Sequence, residues 1–409
     1  MLFNPTRKKN YAFVLGHRPL LSQKEIEKVL EFQKVDFKEI FLSSQVFIIE
    51  TSTKLDLLKL QKQLGGTVKT IIITYIITKD KLERTVTELV NSRINELSYQ
   101  KFIKDGSQNF SRKYQFGFSV YAEEKIKNLS KIGLKIKNDL KARNINSRFV
   151  VSKKADLSSV IVHKERLLNQ GIDLVIIASS DKYFIGYTVT VQEYEDYSQR
   201  DYGRPARDDK SGLLPPKLAK IMINISQTDF RQTILDPFCG SGTILQEALL
   251  MGYVNLIASD VSFKAIEKTR HNINWLKTKY DLDISRLKIH QLDATTISQH
   301  LSPDSIDRII TEPYLGPSSK IFSVQTPKII SQITDLYLKS FTEFYKILKK
   351  EGKVIIIFPI INDQRLDILE QIKNKGFVDE SLSEQLRSSL VYSREKQRVK
   401  REIFVFKKV

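Results

Sequence analysis

From residue 233 onward the chain alternates between short apolar runs and longer amphipathic ones, and this rhythm restricts the fold more than any other feature. Strands are expected at 233–238, 255–260, 287–292, 307–311 and 354–359, where β-branched and aliphatic residues cluster. Helical periodicity fills the gaps at 243–251, 262–280, 327–350 and 364–375. Strands that alternate with helices of this length make βαβ units, so the expected fold is α/β with a mostly parallel, Rossmann-like sheet. The last apolar runs, 378–383 and 402–407, lack a helix of normal length between them. They are expected to pair as an antiparallel edge hairpin.

The run Asp236-Pro237-Phe238-Cys239-Gly240-Ser241-Gly242-Thr243 falls where the first of these strands turns into a helix. Its two glycines allow a tight turn and a close approach of backbone to ligand, with a helix N-terminus behind. The second strand ends in Ser259-Asp260, where a carboxylate can grip ribose hydroxyls, and the third ends near Asp293-Ala294, where one can meet an adenine amino group. Open α/β sheets bind ligands at these carboxyl ends. The cofactor-binding candidates are therefore Asp236, Pro237, Phe238, Gly240, Ser241, Gly242, Asp260, Asp293 and Ala294. No Gly-Lys-Ser/Thr follows the loop, which disfavours a phosphate-gripping P-loop, and the spacing is not the Gly-x-Gly-x-x-Gly of dinucleotide oxidoreductases. Cys239 reads as a small turn residue.

The first half reads as two smaller α/β modules. Residues 11–16 form a strand, and Ser22 with Glu25 has capping-box spacing at a helix start. A hairpin at 40–50, a helix at 53–63 stopped by Gly65-Gly66, and a strand at 68–77 complete the first module. Strands at 114–121, 147–152, 173–178 and 183–191 make up the second, with a Lys-rich helix over 122–144 and a helix over 157–170. Residues 194–212 change character to Tyr, Arg, Asp and Pro and read as a linker or active-site loop. The expected domains are 1–80, 81–195, a linker with its helix at 196–230, and 231–409.

Composition adds a partner class. Lys and Arg number 66 against 47 Asp and Glu, a net charge of +19, which favours a polyanion because basic side chains release its condensed counterions. A lysine-rich codon bias gives the same excess without any function. One cysteine and five scattered histidines leave no disulfide framework and no metal site to expect. No apolar run is long enough to span a bilayer and residues 1–9 lack a secretory apolar core, so a cytoplasmic protein is expected.

Residues 236–243 resemble the first motif of class I, S-adenosylmethionine-dependent methyltransferases in the form common among N-methylating enzymes. Thr311-Glu312-Pro313-Tyr314-Leu315-Gly316 then resembles a variant of that family's Asp-Pro-Pro-Tyr tetrad. The tetrad's chemistry is intelligible: a base's exocyclic amine is a poor nucleophile until a carboxylate and a proline carbonyl accept its two N–H bonds. The resemblance assigns Glu312, Pro313 and Tyr314 as the catalytic set. Glutamate replaces aspartate, Tyr314 stands at the second proline, and Leu315 stands at the aromatic.

Nearly the whole chain is similar to the THUMP-containing tRNA guanine N2-methyltransferases, through Leu15-Gly16, Leu21-Ser22, residues 64–69, Arg204-Pro205, residues 213–219 and residues 392–398. That likeness implies a ferredoxin-like region, a THUMP domain that holds tRNA, and methyl transfer to N2 of a guanosine. It leaves room for a small activator subunit and gives no role to a membrane. Arg204, Lys153, Lys154 and Arg398 are the implied substrate-binding residues. Arg394, Arg398 and Arg401 either line the target pocket or decorate an edge strand, and the interleaved Tyr194, Tyr197 and Tyr202 with Arg200, Arg204 and Arg207 either stack on RNA or pack in a linker. Two other readings stay open: an amino-methyltransferase for adenine or cytosine in DNA or rRNA, and a non-catalytic RNA-binding subunit that keeps the fold.

Overall fold

A computed structural model describes residues 8–105, 113–207, 213–317, 323–381, 391–393 and 399–409. Along the chain run β1 (Lys9–Leu15), α1 (Pro19–Phe32), β2 (Lys38–Leu42), β3 (Val46–Thr51), α2 (Leu57–Gln63), β4 (Thr67–Thr78), α3 (Leu82–Asp105), β5 (Tyr114–Tyr121), α4 (Leu129–Ala142), β6 (Ser147–Val150), α5 (Ser159–Lys164), β7 (Gly171–Ala178) and β8 (Lys182–Val191). There follow α6 (Tyr194–Tyr202), α7 (Pro216–Ile225), β9 (Ile234–Asp236), α8 (Thr243–Leu250), β10 (Leu256–Asp260), α9 (Phe263–Tyr280), β11 (Lys288–Gln291), β12 (Ile306–Thr311), α10 (Thr326–Ile347), β13 (Leu348–Ile361), α11 (Leu369–Lys373), β14 (Phe377–Asp379), β15 (Val391–Tyr392) and β16 (Val399–Lys408). Among the described residues no helix is long and apolar enough to cross a membrane.

Two units emerge. The first holds the residues to Pro19, Gln33–Lys62 and Thr67–Tyr194; the second holds Leu20–Phe32, Gln63–Gly66 and Glu195–Val409. In the first unit the strands form one sheet in the order β2-β3-β1-β4-β8-β7-β5-β6. Its antiparallel half is joined to a half where β5 runs parallel to β6 and β7 by the antiparallel pairs β4–β8 and β7–β8. The helix α3 was not anticipated, because its charged residues mask Leu82, Val86, Leu89, Val90 and Ile94, which pack with Ile132 and Ile136 of α4 on Phe116 and Leu174. Between the strands Lys69 is buried 2.9 Å from Asp173, and Ser119 and Thr188 both donate to the same carboxylate. A buried charge pair stays tolerable when its remaining lone pairs are satisfied in this way.

The second unit carries the expected Rossmann-like sheet, in the order β11-β10-β9-β12-β13-β16-β14, with β15 paired to β16. β10, β11, β12 and β13 run parallel within it, whereas β16 is antiparallel to both β13 and β14. Apolar layers cover both faces. Ile355 and Ile357 join the layer of α7, α8 and α9, and Val354, Ile356 and Phe358 join that of α10 and α11. Strands buried on both faces must read as continuous apolar runs, which is why β13 was legible.

Several expectations need correction. Ser22 and Glu25 are no capping box: α1 begins earlier, at Pro19, whose fixed φ suits a first turn. The Lys-rich helix shortens to Leu129–Ala142, because Asn128 adopts a left-handed φ of 66° just before it. The helix expected over 157–170 shrinks to Ser159–Lys164, and Arg166 takes a φ of 53° beyond it. Residues 194–202 are helical, with Tyr197 and Arg200 buried.

Glu25 instead faces inward, wholly buried, and its carboxylate accepts from the N–H groups of Gly65 (2.7 Å) and Gly66 (2.8 Å) and from the Asn224 amide (2.6 Å). Burial pushes it up to about 7, against the pull of those donors. Glu25→Gln turns one acceptor into a donor facing these groups. It should lower the unfolding free energy by about 1–3 kcal/mol, read as a fall in the urea midpoint; an unchanged midpoint would show that the donors have other acceptors.

Candidate active site

The carboxyl edge of the parallel strands frames a cavity of ≈ 980 Å³. Its wall includes Asp236, Pro237, Phe238, Gly240, Ser241, Asp260, Asp293, Ala294, Glu312, Pro313 and Tyr314, so residues from four strand ends and the glycine loop meet around one space. Gly242 is not in the wall. It caps α8 at φ 80°, where an added Cβ would press on Thr269. Gly240, at φ 54°, faces open space, and a Cβ there would meet no protein atom.

The loop is held by its neighbours. Thr269 of α9 donates to the Gly240 carbonyl (2.9 Å), and the Asn272 amide donates to the carbonyls of Ser241 and Ala206 (both 2.9 Å). Asp260 accepts from the Gly240 N–H at 3.0 Å with one oxygen and from the Ser262 N–H at 2.9 Å with the other. Burial raises its carboxyl, opposed by those two donors. Cys239 is buried and its thiol is pushed well up, as befits a turn residue. Asp293 is exposed at the rim, turned onto the N–H and hydroxyl of Thr295 (2.8 Å each).

Asp236 is the most deeply placed acid. The Thr311 hydroxyl donates to it at 2.7 Å and the Phe238 N–H at 3.2 Å. Burial first, then the charges of Asp260 and Glu312, push it up to about 7 despite these donors. Glu312, just past β12, takes a hydrogen bond from Arg401 Nε at 2.5 Å, and burial raises its carboxyl against that arginine. Pro313 is buried; Tyr314 is 56% exposed at the cavity, with its carbonyl accepting from the Tyr337 hydroxyl at 3.1 Å.

The basic candidates separate. Arg204 is buried and donates to the Thr243 hydroxyl at 2.7 Å behind the loop, so it buttresses the turn and is not presented to a ligand. Arg200 is likewise buried, paired with Glu247 at 2.7 Å, and its guanidinium stacks on Tyr197. Tyr197, Arg200 and Arg204 thus pack inside the second unit, whereas Tyr202 is exposed beneath the Arg207 guanidinium. Lys153 and Lys154 are exposed in the first unit and do not line the cavity. Arg394 and Arg398 lie outside the described residues. Unforeseen wall residues include Leu213, Leu214, Val261, Lys264 and Lys268. Val261 was findable: an apolar residue directly after the strand-end acid stays 64% exposed at the protein surface.

Residues 204–373 match the family described as an RMKL-like methyltransferase domain. A second model, described as a DNA methylase, matches residues 69–268 and so stops short of Glu312. Curated relatives include the tRNA (guanine(10)-N2)-dimethyltransferase of Methanothermobacter thermautotrophicus, 30% identical over 38% of this chain and 43% of the relative. The enzyme of the same name from Pyrococcus abyssi is 26% identical over 52% of this chain and 59% of its own length. The chain thus spans about half the length of the curated relatives it matches. Among solved structures, TrmN from Thermus thermophilus aligns over 98% of this chain and all of its own at a TM-score of 0.53 and 13% identity. A possible methylase from Clostridium difficile 630 aligns over 97% of this chain and 98% of its own at 0.50 and 12%. Both share the fold of the two units.

The domain's pH response follows from Asp236. Its carboxyl is raised from an ordinary 3.8 to about 7, so between those values the folded state holds a proton that the unfolded chain has released. Stability from this group is present at acid pH and is lost as pH rises through about 7. Glu25, also raised to about 7, adds its own share, and Asp236→Asn removes only that of Asp236: between pH 5 and pH 8 the wild-type urea midpoint should fall relative to the variant's, and parallel curves would refute it.

Proposed function

We propose that this chain is an S-adenosylmethionine-dependent RNA methyltransferase acting on the exocyclic N2 amine of a guanosine in tRNA. The observation that carries this is the meeting of Glu312 with the glycine loop and Asp260 across a single cavity. The names of the archaeal relatives support the same substrate. The residues fit the cofactor. Gly240 opens onto the cavity where a side chain would fill it, Asp260 keeps acceptor lone pairs for ribose hydroxyls, and the acidic edge suits a sulfonium cation. When bound, that cofactor supplies an electrophilic methyl group on sulfur.

The rest is done by the chain. Glu312 accepts one N–H of the target amine and the Pro313 carbonyl the other, which frees the nitrogen lone pair for transfer. Glu312 then helps take the proton that the amine gives up, and Tyr314 covers the base at the mouth. In the first unit we propose a ferredoxin-like region over 1–80 and a THUMP-like RNA-binding region over 81–195, with exposed Lys153 and Lys154 on its tRNA surface. The proposed setting is the cytoplasm.

The deciding experiment is transfer of labelled methyl to bulk tRNA, with duplex DNA as control, followed by nucleoside mass spectrometry. Methylated guanosine of the N2 type is expected; methylated adenine or cytosine in DNA would overturn the substrate. Glu312→Gln keeps the shape and one acceptor but loses the charge. Because its hydrogen bond strengthens as positive charge develops on nitrogen, kcat should fall about 10²–10³-fold with cofactor affinity unchanged. Asp260→Ala should do the reverse. It loses the ribose acceptor and frees the Gly240 N–H, weakening cofactor binding by about 1.5–3 kcal/mol in calorimetry; unchanged affinity would remove Asp260 from the site.

A further inference from the structure

Glu312 stands in the cavity wall with one oxygen held and the other unclaimed. Arg401 Nε donates to Oε1 at 2.5 Å, while Oε2 accepts no hydrogen bond from the described residues. Arg401 sits on β16 opposite Pro359 of β13, and Ile356 of β13 is opposite Thr311 of β12. The arginine therefore reaches across the carboxyl edge of β13 to the residue after β12. Both side chains are nearly enclosed, at 5% and 13% exposure, so little water competes for the contact. The resembling family has aspartate here. Glutamate is one methylene longer and freer about an additional bond, and a longer acid without a restraint would aim its oxygens poorly.

We propose that Arg401 is the positioning residue of this site: by holding Oε1 it aims Oε2 at the exocyclic amine of the target base, so that a glutamate–arginine pair does the work of the shorter aspartate. This rests on the reading of the site given above. The same contact governs charge. Among the described residues, the groups facing Glu312 are Arg401 from β16, Tyr337 from α10 and Asp236 from β9. Tyr337 is a buried neutral phenol that donates to the Tyr314 carbonyl, and Asp236 is an acid, so Arg401 supplies the counter-charge. Burial pushes Glu312 up and Arg401 pulls it down. Without the arginine, the carboxyl keeps its proton to higher pH and loses the charge with which it accepts from the amine.

The test begins without RNA or cofactor. Isotope-edited infrared titration of the Glu312 carboxyl, with Glu312→Gln to assign the band, should show a higher midpoint in Arg401→Met than in wild type. In Arg401→Lys, which keeps the charge, the midpoint should return most of the way. Single-turnover methylation then separates positioning from RNA contact. Arg401→Met should lose about 10²-fold in rate at neutral pH and recover part of it as pH rises, with KM for tRNA little changed. Arg401→Lys should keep the wild-type pH limb and lose only the rate that depends on aim. Should Arg401→Met not fold, Arg401→Lys and Arg401→Gln carry the same comparison. A Glu312 titration indifferent to Arg401, or a loss confined to KM, overturns the proposal. A wild type that transfers no methyl to tRNA, while Glu312 still titrates as expected, overturns the proposed function and leaves the pairing standing.

Discussion

Crowding of carboxylates at one edge of a parallel sheet is the constraint from which the rest of the second unit follows. Asp236, Asp260 and Glu312 leave adjacent strand ends and line one cavity, and two of them raise the third by their charge. Each needs its own compensation. For Asp236 it is the Thr311 hydroxyl and a backbone N–H; for Asp260, the N–H groups of Gly240 in the glycine loop and of Ser262 just after it; for Glu312, an arginine from the antiparallel strand β16. The antiparallel end of the sheet is thus no ornament on a parallel core, because it delivers the cation that opposes the upward push of burial on the acid nearest the proposed chemistry. A chain with a net charge of +19 thus gathers several of its acids at one sheet edge, the arrangement that the proposed sulfonium cofactor would meet.

Rigidity at this edge is likewise borrowed. The glycine loop has few side chains with which to fix itself, so Thr269 and Asn272 hold its carbonyls from α9, and Arg204 holds Thr243 from the segment before α7. Sites aimed by a supporting shell keep their geometry better than sites left to a loop's own preferences. Arg204 had looked like a ligand for RNA. Its burial makes it part of that shell, while two of its guanidinium nitrogens, Nε and Nη2, find no hydrogen-bond partner among the described residues.

What was legible in the sequence was whatever depends on local pattern. The strands β9 to β13 were visible as apolar runs, the glycine loop by its turn chemistry, and the antiparallel ending by the missing helix between its last segments. Asp260 and Asp293 were read from strand-end position, Asp236 from the glycine-loop motif and Glu312 from the family resemblance, and all four line the cavity. What was not legible depends on partners far away in the chain. Glu25 mimics a capping residue in sequence but is a buried acceptor for a glycine pair 40 residues on and an asparagine 199 residues on. The Tyr–Arg cluster of 197–204 carries the composition of an RNA surface, yet Glu247 turns its arginine inward. α3 was missed for the opposite reason: its apolar stripe is present, but its charges outnumber it.

The placement of α1 has a consequence for synthesis. Leu21 packs among Leu214, Leu218 and Met222, and Glu25 closes onto Asn224, although some 190 residues separate them. On the ribosome the helix emerges long before anything that can cover it, so its apolar face and its buried acid must stay uncommitted while the whole first sheet is made. Contacts of such separation slow folding and prolong exposure of unpaired surface. The methyltransferase fold therefore cannot be transplanted by cutting at residue 195: a segment that begins there leaves behind the helix that holds Gly65, Gly66 and Asn224 together, and with it part of the wall behind α7.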